Sequence, residues 1–158
     1  MRSTRQKLLR RFKLYPPFLG AGVRVRRISD DFLTIDVEMP LRFWNKNYVG
    51  THFGGSLYAM CDPFFMIILM NTLGPGYIVW DKAATIRFKK PGKGLMKASF
   101  HIPAERIAEI RAQADSQGKT EPGFTVSVTD VDGNVIAEVD KLLYVRRKEA
   151  PKAWEPSV

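Results

Sequence analysis

The apolar positions of this chain change period several times, and each change marks an element. Residues 3–14 place Leu8, Leu9, Phe12 and Leu14 on one side of a helix and arginines and lysines on the other, until Pro16 and Pro17 stop the ladder. From Gly22 the period becomes two. Val23, Val25 and Ile28 alternate with Arg24 and Arg26, and after a Ser29-Asp30-Asp31 break Leu33, Ile35 and Val37 alternate with Thr34, Asp36 and Glu38. A short amphipathic helix and then a hairpin ending at Pro40 are predicted, followed by an aromatic, asparagine-containing loop from Leu41 to Tyr48.

Asn47 to Thr72 opens on glycines and polar groups and then turns almost wholly apolar. Leu57, Cys61, Phe64 and Ile68 share one helical stripe suited to burial against a sheet, while Gly55, Asp62 and Leu69 share another. Gly74-Pro75-Gly76 is a hard stop. Strands follow over Tyr77 to Lys89, where Ala84, Ile86 and Phe88 oppose Thr85, Arg87 and Lys89, and over Leu95 to Ile102, around a Pro91-Gly92-Lys93-Gly94 turn. Pro103 to Gln117 reads as a surface helix with Ile107 and Ile110 inward. Phe124, Val126 and Val128 then lead through Asp132-Gly133-Asn134 to a returning strand, Val135 to Val145. Because helices and strands do not alternate one for one, a parallel doubly wound sheet is disfavoured. The pattern predicts an α+β fold, an antiparallel sheet wrapped around one long buried helix.

Totals narrow this further. A chain of 158 residues suits one domain with its own core, here about 20–146, with an N-terminal amphipathic helix over 1–17 and a tail over 147–158. Cys61 is the single cysteine and there are two histidines, so no disulfide and no four-ligand Cys/His metal site can be built; no metal is expected, and a reducing, cytoplasmic setting fits. The run Leu57 to Leu73 falls short of the about 20 residues of a membrane span and contains Asp62, Pro63 and Asn71. A core helix is expected rather than a transmembrane segment. The net charge of +9 favours anionic partners and keeps open a basic domain that binds nucleic acid or an anionic membrane.

The candidate chemistry sits in the central stretch. Gly54 and Gly55 bring bare N–H groups to a helix start, where developing negative charge is favoured. Asp62, seven residues beyond Gly55, is a carboxylate inside an apolar helix; equally, before Pro63 it has the chemistry of an N-cap for a second helix, Pro63 to Leu73. His52, in a glycine-bounded loop, is the second candidate for acid or base work. No Walker loop, dinucleotide fingerprint, zinc-protease motif or serine-hydrolase elbow is present.

The run N-x-x-G-T-x-x-G-G, followed seven residues later by Asp and backed by the apolar helix, resembles the signature of the hotdog-fold acyl-CoA thioesterases, in particular the small single-domain branch that includes phenylacetyl-CoA thioesterases. It also looks like an uncharacterised bacterial group in that superfamily. The resemblance implies that Asn47 is the motif asparagine, that the Gly54 N–H polarises a thioester carbonyl, and that Asp62 is general base or nucleophile. It implies a site at the interface of a homodimer or dimer of dimers, completed by a polar residue near Asp81. An acyl-CoA would be the substrate, with coenzyme A as part of it and no separate cofactor, and nucleic acid would not be a partner. Arg87, Lys89, Lys90 and Lys93 would be phosphate contacts. The family pattern has His directly before the glycine pair; here Phe53 stands there and His52 comes one position earlier. That departure keeps a non-catalytic acyl-CoA or fatty-acyl binder as the second reading.

Overall fold

Residues 4–148 are described by a computed structural model of the chain. Helices α1 (Thr4–Lys13) and α2 (Pro16–Ala21) precede strands β1 (Arg24–Ile28) and β2 (Thr34–Pro40). Then come α3 (Gly54–Ala59), α4 (Phe64–Leu73), β3 (Tyr77–Phe88), β4 (Leu95–His101), α5 (Ala104–Gln117), β5 (Lys119–Thr120), β6 (Gly123–Thr129) and β7 (Val135–Arg147). The strands form one sheet in the order β1-β2-β4-β6-β7-β3, with β5 on the end of β7 and every pairing antiparallel. The proposed tail lies outside the described residues from 149 onward.

The period-two strands bury the residues their alternation marks. Ile35, Val37 and Met39 of β2 face Phe100, Ala98 and Met96 of β4 in register, and all six are buried. The sheet closes over α4, whose Phe64, Phe65, Ile68 and Leu69 are at most 2% exposed. Phe64 meets Phe100 tilted and Phe65 meets it edge-on, at 4.9 and 5.2 Å between ring centres, and Phe65 stacks on Phe124 at 4.8 Å, so one aromatic seam joins helix, β4 and β6. Phe12 and Phe18 extend it to α1 and α2.

Two expectations need correction. Pro16 and Pro17 end α1 but also begin α2, because a proline needs no acceptor for a missing N–H in a helix's first turn. Gly22 closes α2 at φ 81°, where a Cβ would meet the Asn45 amide at 2.5 Å. The buried Asn45 ties the two segments by donating to the Ala21 and Pro40 carbonyls. Leu14, placed by its spacing on the packed side of α1, is 77% exposed, since the ladder has ended before it. On β3, Ala84 and Phe88 are exposed and Ile86 is partly buried; this strand lies at the end of the sheet with one edge unpaired among the described residues.

The central run is not one helix. Pro63 has no N–H to give to the Ala59 carbonyl, so α3 ends and α4 starts afresh at Phe64, its Ile67 N–H reaching the Pro63 carbonyl. The stripe Leu57, Cys61, Phe64 and Ile68 is nevertheless buried throughout. The window Gly54–Leu73 is long and apolar enough by length and composition to cross a membrane, but half of it is buried inside the fold, as a core helix is.

Candidate active site

The loop before α3 is held by Asn47. Its Oδ1 accepts the Val49 and Thr51 N–H groups and its Nδ2 donates to Thr51 Oγ1, while Gly50 makes the turn at φ 80°. Asn47 is therefore a positioning residue: its amide is engaged within the loop. The result is that Gly54 and Gly55 start α3 with N–H groups that meet no acceptor among the described residues. Gly54 lines a cavity of about 420 Å3 together with Asn47, His52, Phe88, Lys89 and Lys90. A side chain at Gly54 would press on the Phe88 ring at 3.0 Å, so glycine leaves room for a ligand to approach the backbone.

His52 is 2% exposed. Its Nε2 lies 2.9 Å from the Gly94 carbonyl, which can only accept, so Nε2 carries the proton and Nδ1 is left as a buried acceptor without a partner. Burial pushes its pKa below the usual histidine value, partly offset by the Gly94 bond. The unfolded chain then binds a proton that the folded one refuses. Stability contributed by neutral His52 is complete above about pH 6.5 and lost as pH falls from there toward the folded pKa. Urea unfolding at pH 7.5 and 5.5 should show a smaller acid loss in His52→Gln than in the parent; equal losses would disprove this account.

Asp62 does not cap α4. No side chain caps that helix, and Asp62 Oδ1 instead accepts the Tyr58 hydroxyl at 2.8 Å, one turn back on α3, and the Lys141 ammonium at 3.0 Å. Lys141 comes from β7, where Val139, Lys141, Leu143 and Val145 form the buried face. Its side chain is 1% exposed and also lies 3.2 Å from Asp81 Oδ1, off the direction of a good hydrogen bond. Asp81 reaches this position because β3 carries a bulge between Asp81 and Ala83 that re-aims the strand. One buried cation is thus shared by two carboxylates, with the Tyr58 ring 5.4 Å away.

Burial alone would lower the Lys141 pKa, but the hydrogen bond to Asp62 and the attraction of both carboxylates raise it, so the ammonium stays charged. Burial raises Asp81 despite Lys141, and burial with the Asp62 bond raises Tyr58, which remains a neutral donor. Cys61, beside them, is pushed up to about 12 by burial and is not a nucleophile at neutral pH. Asp62 keeps a side chain 50% exposed, with one oxygen anchored and Oδ2 without a hydrogen bond among the described residues.

The structure therefore gathers the residues singled out from the sequence into two groups. Gly54, His52, Lys89 and Lys90 share one cavity, with Gly55 exposed beside it, and Asp62 and Asp81 meet at Lys141. Arg87 belongs to neither. It is held by Glu138 at 2.5 Å and Asp140 at 2.6 Å on β7, and Lys93 lies exposed in the 91–94 turn. Among the described residues there is no cluster of three His, Cys, Asp or Glu that could hold a metal. Lys141 and Tyr58 were not singled out from the sequence, yet a lysine at an inward position of an alternating strand was the signal for the first.

A core helix wrapped by an antiparallel sheet of this order is the hotdog fold, and solved structures agree along nearly the whole chain. A protein of unknown function from Pseudomonas aeruginosa, called a probable thioesterase, superposes with a TM-score of 0.83 at 23% identity, covering 94% of this chain and 99% of its own. A protein of unknown function from Chlorobaculum tepidum gives 0.72 at 17% identity over 90% and 94%. A Haemophilus influenzae thioesterase gives 0.65 at 13% over 93% of each. Residues 5–145 match the family described as a domain of unknown function, DUF4442, and the chain belongs to it. No curated protein matches significantly in sequence.

Proposed function

We propose that this protein is an acyl-thioester hydrolase acting on an acyl-CoA, with Asp62 as its base. The observation that carries the reading is a half-exposed carboxylate at the break between α3 and α4, fixed through one oxygen and open at the other. In this reading Oδ2 takes a proton from water, the hydroxide adds to the thioester carbonyl, and the negative oxygen is met by the Gly54 N–H. Collapse expels the thiolate, which is protonated, and a carboxylic acid leaves. Direct attack by Asp62, with hydrolysis of the resulting anhydride, uses the same atoms.

Asp62 does not border the cavity that Gly54 lines, and this favours a site completed by a second copy. The long unpaired edge of β3 and the exposed Tyr48, Val49, Trp80 and Phe88 are surfaces that such a copy would cover. Dimer or dimer of dimers is part of this proposal, as is a cytoplasmic setting.

The alternative of a non-catalytic binder draws on the same Lys141, since a carboxylate tied to a buried cation can serve as a structural contact alone. A panel of acyl-CoA chain lengths, assayed for thiol release and in parallel for saturable binding, separates the two; binding without turnover across the panel would reject hydrolysis. Lys89 and Lys90, at the Gly54 cavity, are the proposed phosphate contacts, while Arg87 is taken up by its ion pairs. Lys89→Gln with Lys90→Gln should raise KM about tenfold with little change in kcat, the scale of one lost charge-assisted contact. Arg87→Gln should leave KM for CoA esters near the parent value, and the reverse ranking would refute this assignment.

A further inference from the structure

A recess of about 340 Å3 opens between α1, α2, β1 and the segment 40–44. Phe12, Phe18 and Val23 give it an apolar floor, the last two only 3% and 6% exposed. Its rim carries Lys13, Arg24 and Arg42, whose side chains have no carboxylate partner among the described residues. Arg26, also at the rim, is paired with Glu38, and no acidic residue lines the space. The volume falls within the roughly 300–1000 Å3 of small-molecule sites. None of Asn47, Gly54, Asp62, Asp81 or Lys141 borders it.

Three cations converging on an apolar hollow without a counter-charge are an arrangement with one side of the chemistry missing. We propose that this recess is a second ligand site, for a single-chain amphiphile with an anionic head, carboxylate or phosphate. The guanidinium groups of Arg24 and Arg42 take the head, for which their planar donors are suited. The chain lies on Phe12, Phe18 and Val23. The concavity favours a molecule taken from solution over a bilayer face, because a chain can enter a hollow bounded on several sides and a membrane plane cannot.

Isothermal titration calorimetry with sodium decanoate, kept below its micelle-forming concentration, tests this on the full chain. Decanoate should bind saturably, more weakly as salt rises, and decanol should bind at least about tenfold less tightly. Arg24→Gln with Arg42→Gln, both at exposed positions, should weaken decanoate by a similar factor, whereas Asp62→Asn should not change it. Equal affinity for decanol, unchanged affinity in the double variant, or loss of binding in Asp62→Asn would overturn the assignment. So would binding to phosphatidylglycerol vesicles without binding of decanoate. Because no turnover is read, a failure here leaves the hydrolase reading untouched, and a failure of hydrolysis leaves this site standing.

Discussion

Asp62→Asn is expected to lower kcat for acyl-CoA hydrolysis by about 10²–10⁴-fold, the usual contribution of a positioned general base, with KM little changed. The amide keeps an oxygen that can accept the Tyr58 hydroxyl, and Lys141 retains Asp81 as its counter-ion, so the fold should survive the exchange. Gel filtration and unfolding curves would establish that survival before kinetics are read. The distinction matters because a carboxylate tied to a buried lysine could be there for structure alone. A structural role predicts a loss of stability with proportionate activity in whatever remains folded. A catalytic role predicts a folded protein without turnover. Parent-like kcat in a folded Asp62→Asn protein would refute the mechanism.

What the sequence disclosed and what it hid divide along the range of the interactions involved. The paired strands were legible because Ile35, Val37 and Met39 alternate with polar neighbours, and alternation is written locally. The hairpin at Asp132-Gly133-Asn134 was legible because Gly133 supplies the φ of 82° that the turn requires. Pro63 announced a boundary, but its effect on Asp62 was open, since capping and release into a cleft begin from the same dipeptide.

The choice was made 79 residues away, by Lys141 on β7. No local pattern links the two, although the lysine between Val139 and Leu143 broke its own strand's alternation. The meeting of Asp81 with Lys141 was hidden differently: Asp81 enters the cluster through a bulge, and an extra residue in a strand reverses the face that simple counting assigns. The apparent stripe from Gly55 through Asp62 to Leu69 assumed an unbroken cylinder. The break at Pro63 removes that assumption, and Asp62 turns to Lys141 while Gly54 lines a cavity that Asp62 does not border.

Lys141→Met is expected to be the most damaging single change to stability, at about 3–5 kcal/mol, because it leaves Asp62 and Asp81 near one another in a partly desolvated site with no cation between them. For a chain of this length that corresponds to a fall in Tm of roughly 10 °C or more. The pH dependence separates this cause from simple loss of packing. A carboxylate whose pKa is raised on folding binds its proton more tightly in the native state, so stability grows as pH falls through the raised value. Asp81 is already raised by burial, and removing Lys141 takes away its main opposing influence. The variant should therefore recover part of its lost stability on acidification from pH 7 toward pH 5, beyond any change in the parent. It should also recover at neutral pH when Asp81→Asn is added, whereas Asp81→Asn alone leaves Lys141 with Asp62 and should cost little. Urea midpoints for the parent, the two single variants and the double variant measure the coupling directly. A loss below about 1 kcal/mol in Lys141→Met, or a loss that neither acid nor Asp81→Asn relieves, would show that the ammonium is not what holds the carboxylates together.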